Sequence, residues 1–292
     1  MLKLFWSFIV ILLPFVGIVN AQESIVLGEK LLNEGNIQQA KEIFKNNPND
    51  LKSMEYLGDI ESFEKNWDEA IEYYEELVHR NPDNAAYNFK LGGALGIKAM
   101  EGSKFQAALL LGDIKSHLKK AASLDAKHAE VRRALVQLYM ELPGIVGGSR
   151  TIAESYASDL DRINEIDAAL ADAYIYKIAE YKELAIKKYE AAILTAKRNP
   201  ALITRNHLYY ELGEASATYE IEPELGKKYL LAYLKNYGYK DLKTPAWAYY
   251  RLAQLERIQK NKDAATAYIE KSLKEAPNFL KAQEERIKIQ RL

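Results

Sequence analysis

From residue 22 onward, apolar residues recur at helical spacing in short blocks, and glycine and proline fall between the blocks instead of inside them. Alternating runs of β-branched residues, the mark of half-buried strands, are missing. The pattern predicts helix, turn, helix, repeated along the chain.

The blocks resemble one another. Ala248 to Asn278 opens with Leu252-Ala253 and continues through Ala265, Tyr268, Ile269 and Leu273 to Pro277-Asn278. Leu51 to Asn84 has Leu57-Gly58, Trp67, Ala70, Tyr74, Leu77 and Pro82. A third block carries Ala168, Ala173, Tyr176, Ala185, Tyr189 and Ala192. The residue sizes have a physical reading. Gly58, Ala173 and Ala253 let one helix of a pair approach the other, Ala70, Ala185 and Ala265 do the same from the second helix, and Tyr74, Tyr189 and Ile269 fill the space beside them. Pro82 and Pro277 stop the second helix, because proline cannot continue the hydrogen-bond ladder.

These spacings resemble the tetratricopeptide repeat, a helix pair of about 34 residues. Looser copies begin at Leu27-Gly28 (with Ala40, Phe44 and Pro48), Leu91-Gly92 (with Ile114, Leu118 and Ala121), Leu135 and Tyr139 (with Ala153 and Leu160), and Leu212-Gly213 (with Tyr209 and Leu230). The expected architecture is all-α, a right-handed α-solenoid of about seven helix pairs over residues 22–278, with residues 279–292 as a C-terminal capping helix. The resemblance implies a concave surface lined by the first helix of each unit and used to bind a protein or peptide. Counting from the small residue of each unit, the groove-facing positions are Tyr174, Lys177, Tyr210, Glu214, Trp247, Tyr250, Gln254 and Arg257. Tyrosine and tryptophan suit such a surface, since they give large contact area at low entropic cost. The two-Lys, two-Asn clamp that related chaperone-binding repeats use for a chain-terminal carboxylate is not matched.

Two segments depart from the repeat. Residues 92–113 insert about ten extra residues, rich in glycine (Gly92, Gly93, Gly96) and in apolar side chains (Ala107 to Leu111). With no preceding strand and no Gly-Lys-Ser/Thr, the glycines do not make a phosphate loop. They are expected to allow close helix packing, with the leucine run against a neighbour; an apolar-ligand pocket there is the rival. The second departure is Pro143 to Ser149, where Pro143 and Gly144 stop one helix and Ser149 caps the next. The run Gln137 to Ser149, with its Pro-Gly-x-x-Gly-Gly core, resembles a segment of mostly uncharacterised exported bacterial tetratricopeptide proteins, in which this loop replaces the tight turn. It is expected to be a connector; the rival is an anion held by backbone N–H groups beside Arg150.

The first 21 residues have another character: Lys3, a nearly unbroken apolar run from Leu4 to Val19, then Asn20 and Ala21. This is the layout of a signal peptide cleaved after Ala21, and it implies an exported protein, periplasmic or secreted. The absence of cysteine from the 292 residues excludes disulfides, thiolate nucleophiles and cysteine-based zinc sites. Net charge is −1, which favours neither nucleic acid nor an acidic surface as partner. Charge is uneven, however: residues 52–78 carry nine acids against two bases, and residues 257–292 nine bases against five acids. The acids from Glu61 to Glu76 are expected on a solvated helix face. His79, His117, His128 and His207 lie in no metal-binding spacing, and no catalytic motif occurs. No cofactor, metal or enzymatic activity is expected. The sequence thus reads as an exported scaffold for a protein or peptide partner, with a carrier of a small apolar ligand, using the 92–113 insertion, as the alternative.

Overall fold

A computed structural model describes residues 21–292, so the expected leader falls outside the described residues except for Ala21. The described chain folds into fifteen α-helices and two short 3-10 turns, with no strand among the described residues. Consecutive helices pair: α1 (Ala21–Asn33) with α2 (Ile37–Lys45), α3 (Leu51–Glu64) with α4 (Trp67–Arg80), α5 (Ala85–Glu101) with α6 (Lys104–Leu124), and α7 (Ala129–Glu141) with α8 (Arg150–Leu160). The series continues with α9 (Glu165–Ile178) and α10 (Lys182–Arg198), α11 (Asn206–Tyr219) and α12 (Pro223–Lys235), and α13 (Pro245–Ile258) and α14 (Lys262–Glu275). The last helix, α15 (Leu280–Gln290), packs Ala282 and Ile289 against Tyr250, Ala253, Ala265 and Ile269.

Local chemistry sets the helix ends. Asp50, Asn84, Ser103, Ser149 and Asn164 each accept a backbone N–H of the first turn that follows, satisfying donors that have no partner inside the helix. Within five of the pairs the first helix ends in a residue of left-handed conformation: Gly35, Lys65, Glu180, Glu220 and Lys260. That single residue reverses the chain in the space of a tight turn. The pairs α5–α6 and α7–α8 lack it, and these are the two units in which the sequence leaves the repeat.

Close approach inside a pair works as the residue sizes imply. A Cβ placed on Gly58 would lie 2.5 Å from the Tyr74 ring, and one on Gly213 would lie 2.4 Å from Leu230. Burial along both helices makes a continuous core: Leu57, Ala70, Tyr74 and Leu77 in one unit, Leu252, Ala253, Ala265 and Ile269 in another.

The 92–113 segment departs from expectation. Its extra residues form no loop; they lengthen α5 to 17 and α6 to 21 residues, so that this hairpin projects beyond its neighbours. Gly92 does meet Leu118, but Gly93 and Gly96 have nothing close to where a Cβ would sit. Leu110 packs on the core, whereas Phe105 is 75% and Leu109 66% exposed. At its tip Glu101 accepts from Trp67 Nε1 of α4 at 2.8 Å and Lys98 pairs with Asp68, while the face that carries Phe105 and Leu109 is left uncovered.

Candidate functional site

The first helices of successive units are tied side by side through polar groups. The eight expected groove residues all sit on α9, α11 and α13, within this system of ties. Tyr174 of α9 donates its hydroxyl to Glu141 of α7, and Lys177 lies over the Tyr174 ring. Arg251 of α13 reaches Glu214 of α11 at 2.6 Å, and Glu214 also accepts the Tyr210 hydroxyl at 3.2 Å. Gln254 donates to the Tyr250 hydroxyl at 3.0 Å. The Trp247 ring meets that of Phe279, just before the last helix, at 4.5 Å and a tilt of 54°, and Arg257 pairs with the buried Glu285 of α15. Arg251 also donates to Gln254 at 2.8 Å, so the structure joins Tyr210, Glu214, Tyr250 and Gln254 into one network, with Trp247 packed edge-on against its Tyr250 ring, and sets Tyr174 with Lys177, and Arg257, apart from it.

Two of the expected aromatics do not offer a surface. Tyr210 is 0% exposed, its ring 5.3 Å from that of Tyr233 in the core between α11, α12 and α13. Tyr250 is 7% exposed, against Trp247 and Phe279. Each ring fills the gap between neighbouring units, a space every stacked pair must fill, and only the hydroxyl reaches the polar side. Lys177 is exposed, and Tyr174, Glu214, Trp247, Gln254 and Arg257 remain partly exposed.

The strongest ties are ones that the sequence reading missed. Arg133 of α7 reaches past α9 to Glu211 of α11 through two hydrogen bonds of 2.7 and 2.8 Å, and also contacts the fully buried Asp167 of α9. Arg205 holds Asp167 from the other side at 2.7 and 3.0 Å. Burial alone would raise the Glu211 carboxyl, but the Arg133 guanidinium, with smaller help from His207 and Arg205, outweighs it and holds the group at about 2. A contact from α7 to α11 that skips the helix between them requires the inner side of the solenoid to be tightly curved.

The same curvature brings the chain back to its beginning. On α3, Glu55 and Asp59 both hold Lys90 of α5, at 2.7 and 2.6 Å. Burial would lower the Lys90 ammonium, yet these two carboxylates raise it above the ordinary lysine value. Beside them Tyr56 donates to Glu29 of α1 at 2.5 Å and stacks on Phe44. Against this face lies Tyr239, from the connector between α12 and α13, with its ring 6.4 Å from Tyr56, edge to face; Tyr237 of the same connector meets Phe63 at 6.1 Å. Tyr239 is buried in one cluster with Ile25, Phe44, Leu57 and Ile60.

Elsewhere the expectations divide. Ser149 caps α8, but the anion reading of its loop is overturned: the N–H groups of Gly147, Gly148 and Ser149 go to the carbonyls of Gly144, Pro143 and Tyr139. Gly147 adopts φ +88°, and a Cβ on Gly148 would meet the Leu142 carbonyl oxygen at 1.7 Å, so both glycines are required by the shape of the connector. Glu61 is not on a solvated face; it is buried, held by Lys41 at 2.9 Å and Asn66 at 2.8 Å. Glu256 repeats that arrangement with Lys227 and Asn261. Two open clefts, of about 410 and 540 Å³, are lined mainly by polar residues and exclude Leu109. Among the described residues no group of three or more His, Asp or Glu is placed to hold a metal, and no helix is long and apolar enough to cross a membrane.

No protein-family model matches the chain, and no curated protein does. Solved structures do. A tetratricopeptide-repeat protein of Parabacteroides merdae aligns over 92% of this chain and 98% of its own, at 14% identity and a TM-score of 0.52. A thermophilic tetratricopeptide-repeat protein of Thermus thermophilus aligns over 62% of this chain and 94% of its own, at 21% identity and a TM-score of 0.50. The Cut9–Hcn1 hetero-tetramer of the APC/C matches over 93% of this chain and 49% of that one, at 15% identity and a TM-score of 0.54. Helix pairs with small-residue crossings, stacked in series and matched to these structures, make the fold an all-α solenoid of the tetratricopeptide-repeat kind.

Proposed function

We propose that this chain is an exported tetratricopeptide scaffold, periplasmic or secreted, that binds a protein or peptide along the inner side of its first helices. The observation that carries this is the row of tied but exposed or partly exposed polar groups on α9, α11 and α13: Lys177, Glu214, Gln254 and Arg257. Groups already held by neighbours lose little freedom when a partner arrives, so their contacts translate into affinity with a small ordering cost. The alternative, a carrier of an apolar ligand, loses its support because Leu109 faces solvent and lines neither described cleft. Export rests on Lys3, the Leu4 to Val19 run and Ala21.

The test uses the chain from Gln22 as bait in an envelope extract. Lys177→Ala and Gln254→Ala should each reduce capture of the partner by threefold or more while the melting temperature holds. Capture unchanged in both variants would overturn the groove assignment. N-terminal sequencing of the native protein should begin at Gln22; an intact Met1 in a membrane fraction would overturn export.

A further inference from the structure

The connector of residues 236–244 is shaped before it makes its distant contact. Asp241 is 4% exposed and accepts from Gly238 N–H at 3.0 Å and from Asn206 Nδ2 at 2.8 Å. The Tyr233 hydroxyl donates to the Lys243 carbonyl. Pinned from the α11–α12 side in this way, the Tyr237-Gly238-Tyr239-Lys240 stretch is held out toward the first two helix pairs. There the Tyr239 ring meets Tyr56, inside a cluster that also contains Phe44 and Ile60. Glu29, Glu55 and Asp59 lie around the ring closely enough to act on its hydroxyl: burial, then these three carboxylates, keep Tyr239 protonated well beyond the ordinary tyrosine range. Lys240 lies over the same ring at 5.5 Å. The seated segment is a tight turn, closed by the Asp241 N–H donating to the Gly238 carbonyl at 3.0 Å, and the face beneath it has an aromatic floor and a rim with three carboxylates against Lys52 and Lys90.

We propose that the face built by Glu29, Glu55, Tyr56 and Asp59 is a tyrosine-accepting site, occupied in cis by Tyr239, and that the external ligand it serves is a turn-forming segment bearing a tyrosine followed by a lysine. The inference rests on the groove reading above but names a different part of the inner side. The chemistry sets the specificity. A ring fits against Tyr56, a neutral hydroxyl suits the surrounding carboxylates, and a following lysine complements their charge. A phosphotyrosine would bring about two negative charges among three carboxylates and is excluded. The connector then acts as an internal competitor, which an external segment must displace, so the intact protein binds more weakly than the bare site would.

The experiment measures fluorescence anisotropy of a labelled peptide of residues 236–244 against the chain from Gln22. Tyr239→Ala should bind the peptide at least tenfold more tightly than the unaltered protein. Adding Tyr56→Ala should abolish that gain, and phosphorylation at the position of Tyr239 should weaken binding at least tenfold. Equal binding by the unaltered protein and Tyr239→Ala, or no saturable binding by a folded Tyr239→Ala, overturns the proposal. A second measurement needs no variant: excess peptide should expose Lys240 and Lys243 of the unaltered protein to trypsin, with cleavage there accelerated at least threefold. An unchanged cleavage rate overturns the proposal whatever the variants do. Dimerisation of Tyr239→Ala or of the unaltered protein through exchanged connectors would assign the site to a second copy and also overturn it. If the peptide fails while Lys177→Ala and Gln254→Ala still weaken partner capture, the tyrosine site falls alone; if those variants fail as well, the groove reading falls with it.

Discussion

Tyr210 and Tyr239 are separated in sequence by only one helix, α12, and belong to different physical worlds. Tyr210 is carried on a helix and buried by the second helix of its own unit and by the unit that follows, against Tyr233 and the α13 residues Ala248 and Leu252. Tyr239 is carried on a connector and buried by helices at the opposite end of the chain. The first contact follows from stacking alone and would exist in an array of any length. The second exists only because the solenoid curves enough to meet itself. A buried ring therefore reports two separate things in this molecule, the packing of neighbours and the closure of the whole.

Substitutions separate the two. The largest effect is expected for Tyr210→Ala, which empties a fully enclosed space and should cost about 3–4 kcal/mol in urea unfolding, with partner binding by the folded fraction unchanged. A cost below about 1 kcal/mol would mean that the ring is not a packing element. Glu211→Gln comes next. It leaves Arg133 facing a neutral group across the inner side and should cost about 3 kcal/mol. The pH dependence has a definite sign. The Glu211 carboxyl titrates at about 2 when folded against an ordinary 4.5, so its stabilisation is whole above about pH 5 and drains away as pH falls toward 2. In Glu211→Gln that part of the acid limb should disappear, as seen in melting temperature against pH. Tyr239→Ala should cost about 2 kcal/mol, from the apolar area it exposes. It should also raise hydrogen exchange in α1 and α3 selectively, where Tyr210→Ala should raise it in α11 to α13. Exchange that rises equally at both ends in each variant would erase the distinction. The smallest effect belongs to Lys65→Gly. The left-handed turn suits glycine, and relief of strain against added freedom in the unfolded chain should leave the protein within about 1 kcal/mol of its starting stability, on the stabilising side.

The helix pairs were legible because their determinants are neighbours in sequence. Gly58 and Tyr74, or Ala253 and Ile269, meet within one unit, so spacing alone places them. The small groove positions were harder. Helical spacing puts Tyr210 and Tyr250 on the correct helices, yet the angle that separates the inner side from the inter-unit seam is small, and both rings turn into the seam. Glu61 read as a surface acid because Lys41, which holds it, stands on the preceding unit; Glu256 is held in the same way by Lys227. Arg133 with Glu211, and Tyr239 with Tyr56, depend on curvature accumulated over several units. Curvature is a sum of small rotations at every interface, and no single residue encodes it.

The Tyr239 contact also bears on how many units the array can hold. An open solenoid tolerates gain or loss of a repeat, since each unit answers only to its neighbours. Here a unit added or removed between α3 and α12 would rotate and displace the connector relative to Tyr56, and the two rings would miss each other. Closure thus acts as a length gauge: it ties units that share no interface into one cooperative whole, and it turns the number of repeats from a variable into a constant of the fold.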